Sequence, residues 1–564
     1  MSVAKQQTNI VSMSNSVDDI DDLAQQSCEL VVGIVGYAGS GCSALSRKLK
    51  TELTNNGYKV EIIKLSKLIE QCSPAGTIPV VDDNGERRGN QRVDRAVALQ
   101  DAGDTLRKTF GNHCAASLAI KEIRKHRNGE PIGHKRIAFI LDSIKHKDEV
   151  YLLRKLYEDS FRLVAVHCEL EKREFRLIGD ASNPPKFEGA EKSQVLEYMR
   201  RDEKDKRSNY GQGVRDAFYL ADFFLNNNED NTRLLSGDIN RFVKLLLGAE
   251  LVNPSREETG MYMAHSAALS SSCLSRQVGA ALQCKKGNLV SIGKNEVPKF
   301  GGGTYHYGDS NDSRCHLWEW KRGEQSSQFT GCHNARSKKE LETKLASWAA
   351  DTFPNIIQKE LDLKLNGDNE VNSPNITDKL KEVFLRNAES FSNTPEIGDL
   401  IEYSRSIHAE MDAIMSASRS GVSTEGGTLY CTTFPCHNCA RHLVTAGIHK
   451  VLYIEPYVKS RALELHGDSL ATNEIEAFEE TDDKKVQIRM IVTPFTGVGP
   501  RMYEDHFMKN SELKDDNSGA FIQPGGTTPV HSVRLRDLAE IEKIVADNAL
   551  TPKIEPTQPS NDQR

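Results

Sequence analysis

The chain has 564 residues, and at roughly 100–200 residues per domain that length predicts about three or four domain-sized units. Hydrophobic residues make up 38% and charged residues 27%, which argues against collagen-like, fully disordered and coiled-coil chains. Lysine plus arginine total 73 against 80 for aspartate plus glutamate, a formal charge of -7, and a general nucleic-acid coat needs the opposite balance.

Residues 1–27 are rich in Ser, Gln, Asn and Asp and predict a mobile tail. The N-terminus has neither a basic segment nor a long apolar one, and no run approaches the roughly 18 apolar residues of a membrane span, so a soluble, cytoplasmic protein is expected. Glu29 to Gly36 is a short apolar, β-branched run that predicts a buried parallel strand. A glycine-rich turn and an amphipathic helix to about Asn55 follow. Val60–Ile63, Arg136–Asp142, Arg162–His167 and Ala221–Leu225 predict four more strands. Strands alternating with helical segments predict an α/β parallel sheet, a P-loop NTPase or nucleotide-kinase-like domain over residues 28–250.

A second α/β domain is expected over residues 251–500, with a helix at Met261–Ser272 and strands near Val278–Ala281 and Leu289–Ile292. A polar insertion at about 305–400 carries helical patterns at Lys338–Trp348 and Asp378–Ala388, and regular patterning returns from Ile407 to Pro494. Residues 501–564 read as a C-terminal extension, disordered from about Thr551. The surplus length therefore goes to the insertion and tails, leaving two functional domains.

The turn after the first strand reads Gly36-Tyr37-Ala38-Gly39-Ser40-Gly41-Cys42-Ser43, in the strand-to-helix context of a P-loop. Gly36, Gly39 and Gly41 supply the backbone cradle and Ser43 a magnesium ligand, but Cys42 stands where the phosphate-binding lysine belongs. Asp142 ends a strand in a Walker-B-like position. A nucleotide with Mg2+ is expected here, without efficient phosphoryl transfer. Arg200, Arg201, Lys204 and Arg207 read as a solvated helix face, with a kinase-like lid as the alternative.

Of twelve cysteines, Cys28, Cys72, Cys114, Cys168, Cys273 and Cys284 have no partner at ligand spacing and read as reduced, buried residues. Cys315-His316 and Cys332-His333 suggest a second, structural Zn2+ held by Cys315, Cys332 and His333, against ordinary residues as the alternative.

The strongest pattern is His408-Ala409-Glu410 followed, after a short strand, by Pro435-Cys436-His437-Asn438-Cys439. One imidazole and two thiolates suit a tetrahedral Zn2+ with an open fourth position, and His408, Cys436 and Cys439 are the expected ligands. Cys436 and Cys439 lie three apart at a helix start, where the dipole favours thiolates. This is the H-x-E…P-C-x-x-C signature of zinc base deaminases. Zinc lowers the pKa of a bound water toward neutrality, and Glu410 is the expected proton shuttle between that water, the pyrimidine N3 and the departing ammonia. A closed structural site needs a fourth ligand, which neither His437 nor Cys431 supplies readily.

Ser275-Arg276-Gln277-Val278-Gly279-Ala280 and Gly293-Lys294-Asn295-Glu296-Val297-Pro298 resemble the opening strands of the deoxycytidylate deaminase family. That resemblance implies a role for Asn295 in binding the sugar hydroxyl; Gly301-Gly302-Gly303 offers backbone amides to phosphate or is simply a turn. With the degenerate P-loop, the long insertion and Thr493-Pro494-Phe495-Thr496-Gly497-Val498-Gly499-Pro500, the whole chain from about 30 to 545 resembles the bacterial anti-phage dCTP deaminases. The resemblance implies conversion of dCTP, and of dCMP, to the uracil nucleotide, draining the pool that phage replication needs. It also implies an inhibitory small non-coding RNA, and a homo-oligomer is expected. Rival readings are a biosynthetic dCMP deaminase supplying dUMP, a polynucleotide editor, for which the acidic balance lacks a basic channel, and a sensing switch that only binds.

Overall fold

The computed structural model describes residues 25–79, 89–128, 135–178, 187, 191–205, 208–228, 232–248, 250–318, 331–364, 382, 403–457, 460–481, 484–508, 513–522, 531–533 and 538–552. The expected N-terminal tail up to residue 24, Arg207, all but Glu382 of the Asp378–Ala388 helix, and the end of the chain from residue 553 lie outside them. The protein is mixed α/β and divides into two units, Met1–Glu258 with Pro494–Arg564, and Thr259–Thr493. Among the described residues, no helix is long and apolar enough to cross a membrane.

In the first unit, β1 (Leu30–Gly36) is buried at every position, as a strand covered on both faces must be. It leads into α1 (Cys42–Asn55), β2 (Lys59–Lys64), α2 (Gly89–Phe110), α3 (Cys114–His126), β3 (Ile137–Ile144), α4 (Lys147–Tyr157), β4 (Phe161–His167), α5 (Lys192–Glu203), β5 (Phe223–Asn226) and α6 (Thr232–Leu247). The sheet runs β5-β4-β1-β3-β2, all parallel. Leu45, Leu49 and Leu53 of α1 pack on Val32 and Ile34 of β1 and Phe242 and Leu246 of α6. This places the β1–α1 turn at the carboxyl end of the central strands, where open parallel sheets bind ligands.

Two segments after Pro494 pack within the first unit. Gly497–Val498 adds to β5 as an antiparallel edge strand. The helix Leu538–Asp547 brings Glu542 to Arg127, at the end of α3, through two hydrogen bonds of 2.7 and 2.8 Å. Both segments belong to the first unit because their apolar and charged faces are satisfied there.

The second unit contains α7 (Arg256–Leu269, apart from its first turn), β6 (Gly279–Gln283), β7 (Leu289–Lys294), α8 (His333–Lys364), α9 (Ala409–Arg419), β8 (Thr428–Thr433), α10 (His437–Thr445), β9 (Lys450–Glu455), β10 (Leu470–Ala471) and β11 (Met490–Pro494). Its sheet is ordered β10-β11-β9-β8-β6-β7, with β6 antiparallel to both neighbours and β8 parallel to β9. The core beneath α9 and α10 mixes large aliphatic residues such as Leu282, Leu429 and Leu443 with small ones, among them Ala280, Ala409, Ala413, Ala417 and Ala440, where the helices can approach the sheet closely. The helix expected at Lys338–Trp348 lies within α8.

Candidate functional site

Helix α9 opens at His408, an extended N-cap residue, and Glu410 follows in its first turn. Helix α10 opens in the same way at Cys436, whose Sγ accepts the Cys439 N–H at 3.4 Å. The two helix starts converge. His408 Nδ1 lies 3.3 Å from Cys436 Sγ and 3.3 Å from Cys439 Sγ. Among the described residues, these form the one group of three His, Cys, Asp or Glu ligand atoms within 4.8 Å of one another.

β7 sets this geometry. A Cβ on Gly293 would sit 2.2 Å from the Ala409 oxygen and 2.3 Å from the Ala413 nitrogen, so only glycine lets α9 lie so close. The Lys294 N–H donates to Asp412 Oδ2 at 3.1 Å, and the Ile407 N–H donates to the Glu296 oxygen at 3.0 Å. The chain is thereby held on both sides of His408.

The donor set fits Zn2+: one imidazole, two thiols and an adjoining carboxylate outside the three-atom group. Electrostatics point the same way. Hydrogen bonding with Cys439, and then with His408, draws the Cys436 thiol down to about 4. Its hydrogen bond to Cys436 raises His408 to about 9, while burial pushes the Cys439 thiol well above its ordinary value. Burial, reinforced by the negative Cys436, raises Glu410 as well. A cation held by the three atoms would supply the positive charge that lets Cys439 and Glu410 ionise in this buried site.

A cavity of about 370 Å³ adjoins this group, with His408, Glu410 and Cys436 in its lining. Glu410 is only 4% exposed, so its carboxylate is shielded from bulk water yet borders the cavity. Thr433, Phe434 and Tyr457 also line it. Three cations stand on the walls, Arg276, Lys338 and Arg405. Arg276 lies in the Ser275–Ala280 segment but had no role assigned to it, and Lys338 and Arg405, far apart in the chain, left no local pattern to find.

Asn295 lines the cavity too, but its side chain also holds the loop between α7 and β6. Its Oδ1 accepts the Val278 N–H at 2.7 Å and its Nδ2 donates to the Arg276 oxygen at 2.8 Å. One lone pair and one N–H remain for a ligand. Cys315, Cys332 and His333 reach another wall, where Cys273 joins them, so Cys273 is not the isolated thiol its spacing suggested. These four do not gather three ligand atoms within 4.8 Å. His333 meets Trp318 with the rings tilted by 45° and their centroids 5.2 Å apart.

In the first unit, the β1–α1 turn has the expected P-loop elements. Gly41 caps α1 with φ 93, a conformation that favours glycine. Ser43 Oγ donates to Asp142 Oδ2 at 2.7 Å. Cys42 is buried, and burial pushes its thiol up, so it contributes no charge. Gly36, Gly39, Gly41, Cys42 and Ser43 line a cavity of about 810 Å³. The solvated helix face expected of Arg200, Arg201, Lys204 and Arg207 does not hold at Arg201. That residue is buried and paired with Asp101, Asp104 and Asp205, and these ion pairs displace water from it.

Comparison with known proteins places a family on part of this frame. Residues 356–455 match the cytidine and deoxycytidylate deaminase zinc-binding region. The deoxycytidylate deaminase of Enterobacteria phage T2 is 47% identical over 55 residues, 10% of this chain and 29% of that protein. The chain therefore spans less than a third of the length of this curated relative. Among solved structures, dCMP deaminase from the cyanophage S-TIM5 in apo form is 15% identical, with a TM-score of 0.20, covering 43% of this chain and 100% of that one. Shikimate kinase from Bacteroides thetaiotaomicron is 12% identical, with a TM-score of 0.22, covering 39% of this chain and 98% of that one. His408, Cys436 and Cys439 all fall within residues 356–455, the stretch that is similar to the zinc-binding region of cytidine and deoxycytidylate deaminases.

Proposed function

We propose that the chain is a zinc-dependent hydrolase that converts free deoxycytidine nucleotides, dCTP and dCMP, to the uracil nucleotides and ammonia. The observation that carries this reading is the buried carboxylate of Glu410 beside the His408, Cys436 and Cys439 group, at the edge of a cavity. When bound by those three residues, zinc supplies a polarised water. With the attacking water so held, Glu410 would take its proton and pass it to N3 as the new C4–O bond forms. It then carries the second proton to the amino nitrogen as the C4–N bond breaks and ammonia leaves. A buried carboxyl with raised proton affinity suits a group that must hold a proton between two transfers. Arg276, Lys338 and Arg405 bring positive charge to the cavity wall, as the phosphates of a nucleotide require.

In this reading, consumption of dCTP drains the deoxycytidine pool in phage defence, and the first unit binds a nucleotide with Mg2+ at the P-loop. The test is product analysis by liquid chromatography with dCTP, dCMP, cytidine and a single-stranded oligonucleotide as separate substrates. Turnover of both free deoxynucleotides supports the reading. Exclusive use of dCMP favours biosynthesis of dUMP, and conversion of the oligonucleotide alone makes it a polynucleotide editor.

A further inference from the structure

The missing P-loop lysine leaves the first unit with a cradle and no cation at Cys42. A cation reaches the same loop from elsewhere. Lys145, just past the end of β3, places its Nζ 3.4 Å from the Gly36 oxygen and 2.7 Å from Asp202 Oδ1. The other oxygen of Asp202 accepts the Ala38 N–H of the loop at 2.7 Å. We propose that Lys145 is the phosphate-binding cation of this loop, and that Asp202 is a built-in anion occupying the place of a polyphosphate between Lys145 and the Ala38 amide. The proposal rests on reading the loop as a nucleotide site and names the groups that make it one.

The backbone is shaped to deliver this lysine. On an uninterrupted strand, residues three apart such as Asp142 and Lys145 face opposite sides of the sheet. Here the register of β1 and β3 slips: Ile34 pairs with Asp142, but Val35 pairs with Ile144. Ser143 is the extra residue, and its φ of 74 lies in the left-handed region that non-glycine residues seldom adopt. A bulge of this kind re-aims side chains beside a site. As a result both residues address the loop, Asp142 through Ser43 and Lys145 through Gly36.

Asp202 is 1% exposed, and a buried carboxylate must be matched by a cation and donors. The two partners it has, an ammonium and a loop amide, are the kind that a phosphate oxygen takes in a P-loop. The surrounding cavity is ready for an anionic ligand with polar groups. Lys64 and Arg92 line it without an ion pair among the described residues. Gln100 Oε1 and Glu149 Oε1, in residues 2% and 1% exposed, have no hydrogen-bond donor among the described residues and stand on its wall. These acceptors suit the hydroxyl or amino groups of a nucleoside, while the loop and Lys145 take the phosphates. Binding then exchanges one anion for another: the polyphosphate displaces the Asp202 carboxylate, and α5, which carries it, is released from the loop.

Calorimetric titration of the full chain with inorganic tripolyphosphate and with Mg-ATP tests this, with thermal melts to establish that each variant is folded. The expected result is that Asp202→Asn tightens binding of both probes and Lys145→Met weakens it, each by roughly tenfold to a hundredfold, the range of one charge-assisted hydrogen bond. The double variant Lys145→Met with Cys42→Lys, which moves the cation back into the loop, is expected to recover binding. Stronger binding of ATP than of tripolyphosphate assigns the acceptors on the wall to a nucleoside, and equal binding overturns that part. If Lys145→Met binds as the wild type does, the proposal fails while the nucleotide site stands. If neither the wild type nor Asp202→Asn binds either probe, the reading of the loop as a nucleotide site fails with it.

Discussion

His408 Nδ1 lies 3.3 Å from Cys439 Sγ, although the two residues are 31 positions apart and belong to different helix starts. Burial of so much sulfur and carboxylate around one imidazole makes the site a strong cation trap. Full-length protein is expected to contain zinc by elemental analysis, and His408→Ala or Cys439→Ala to lose most of it. Chelation should also expose Cys436, a thiolate at neutral pH because its thiol titrates at about 4. Iodoacetamide is expected to label Cys436 after chelation and to leave it unlabelled in the zinc-loaded protein, as peptide mass spectrometry would show.

Gly293→Ala should damage the site without touching any residue in it. The added methyl meets the Ala409 backbone at 2.2 Å, and backbone cannot turn aside as a flexible side chain can. α9 must shift, taking His408 and Glu410 with it. Overpacking of this kind costs about 1–3 kcal/mol, so the variant is expected to fold with a lower thermal midpoint, weaker zinc retention and little deamination. Wild-type turnover in Gly293→Ala would show that the helix position is not critical.

Asn295 gives a graded series. Asn295→Asp keeps the acceptor for the Val278 N–H but loses the donor to the Arg276 oxygen; Asn295→Leu loses both. At about 0.5–1.5 kcal/mol per hydrogen bond, Leu should lower the melting temperature more than Asp. If the Asn295 side chain also contacts substrate, both variants raise KM beyond what their stability predicts. Steady-state kinetics with dCMP separate the two roles.

In the first unit, Arg127 sits between Glu29 and Glu542, with its Nε 3.1 Å from Glu29 Oε1 and its terminal nitrogens 2.7 and 2.8 Å from Glu542. Arg127→Met leaves two buried carboxylates uncompensated, a loss of about 3–5 kcal/mol. The effect should grow with pH. Burial raises Glu29 from 4.5 to about 7 even with Arg127 present. A carboxyl raised on folding contributes its stability below the unfolded value and loses it as pH rises through the folded one. Chemical denaturation at pH 5 and pH 8 is expected to find the larger deficit in Arg127→Met at pH 8.

The two parts of the molecule were unequally legible in the sequence. His408, Glu410, Cys436 and Cys439 stand out because each pair sits within four residues on one helix start, where spacing alone fixes which side chains meet. The strands at Leu30–Gly36 and Phe161–His167 were legible for a similar local reason, the apolar runs Leu30–Gly36 and Leu163–Val166. Lys145 was not, because its partner loop is more than a hundred residues away and its direction depends on a bulge at Ser143 that no residue type announces. Cys273 looked solitary for the same reason: its neighbours Cys315 and Cys332 come from the insertion. The helix Leu538–Asp547 was not expected within the C-terminal extension, and only the fold shows that Glu542 faces Arg127.

Deamination by Glu410 at a zinc site is the central claim, and one comparison tests it most directly. Ammonia release from dCMP and dCTP is measured for the full-length wild type and Glu410→Ala, with zinc content determined on the same preparations. The account predicts equal zinc and equal folding, with turnover in Glu410→Ala reduced by about 10²–10⁴-fold, the usual contribution of a positioned acid–base group. Turnover within a few-fold of wild type in a zinc-loaded Glu410→Ala protein would contradict it.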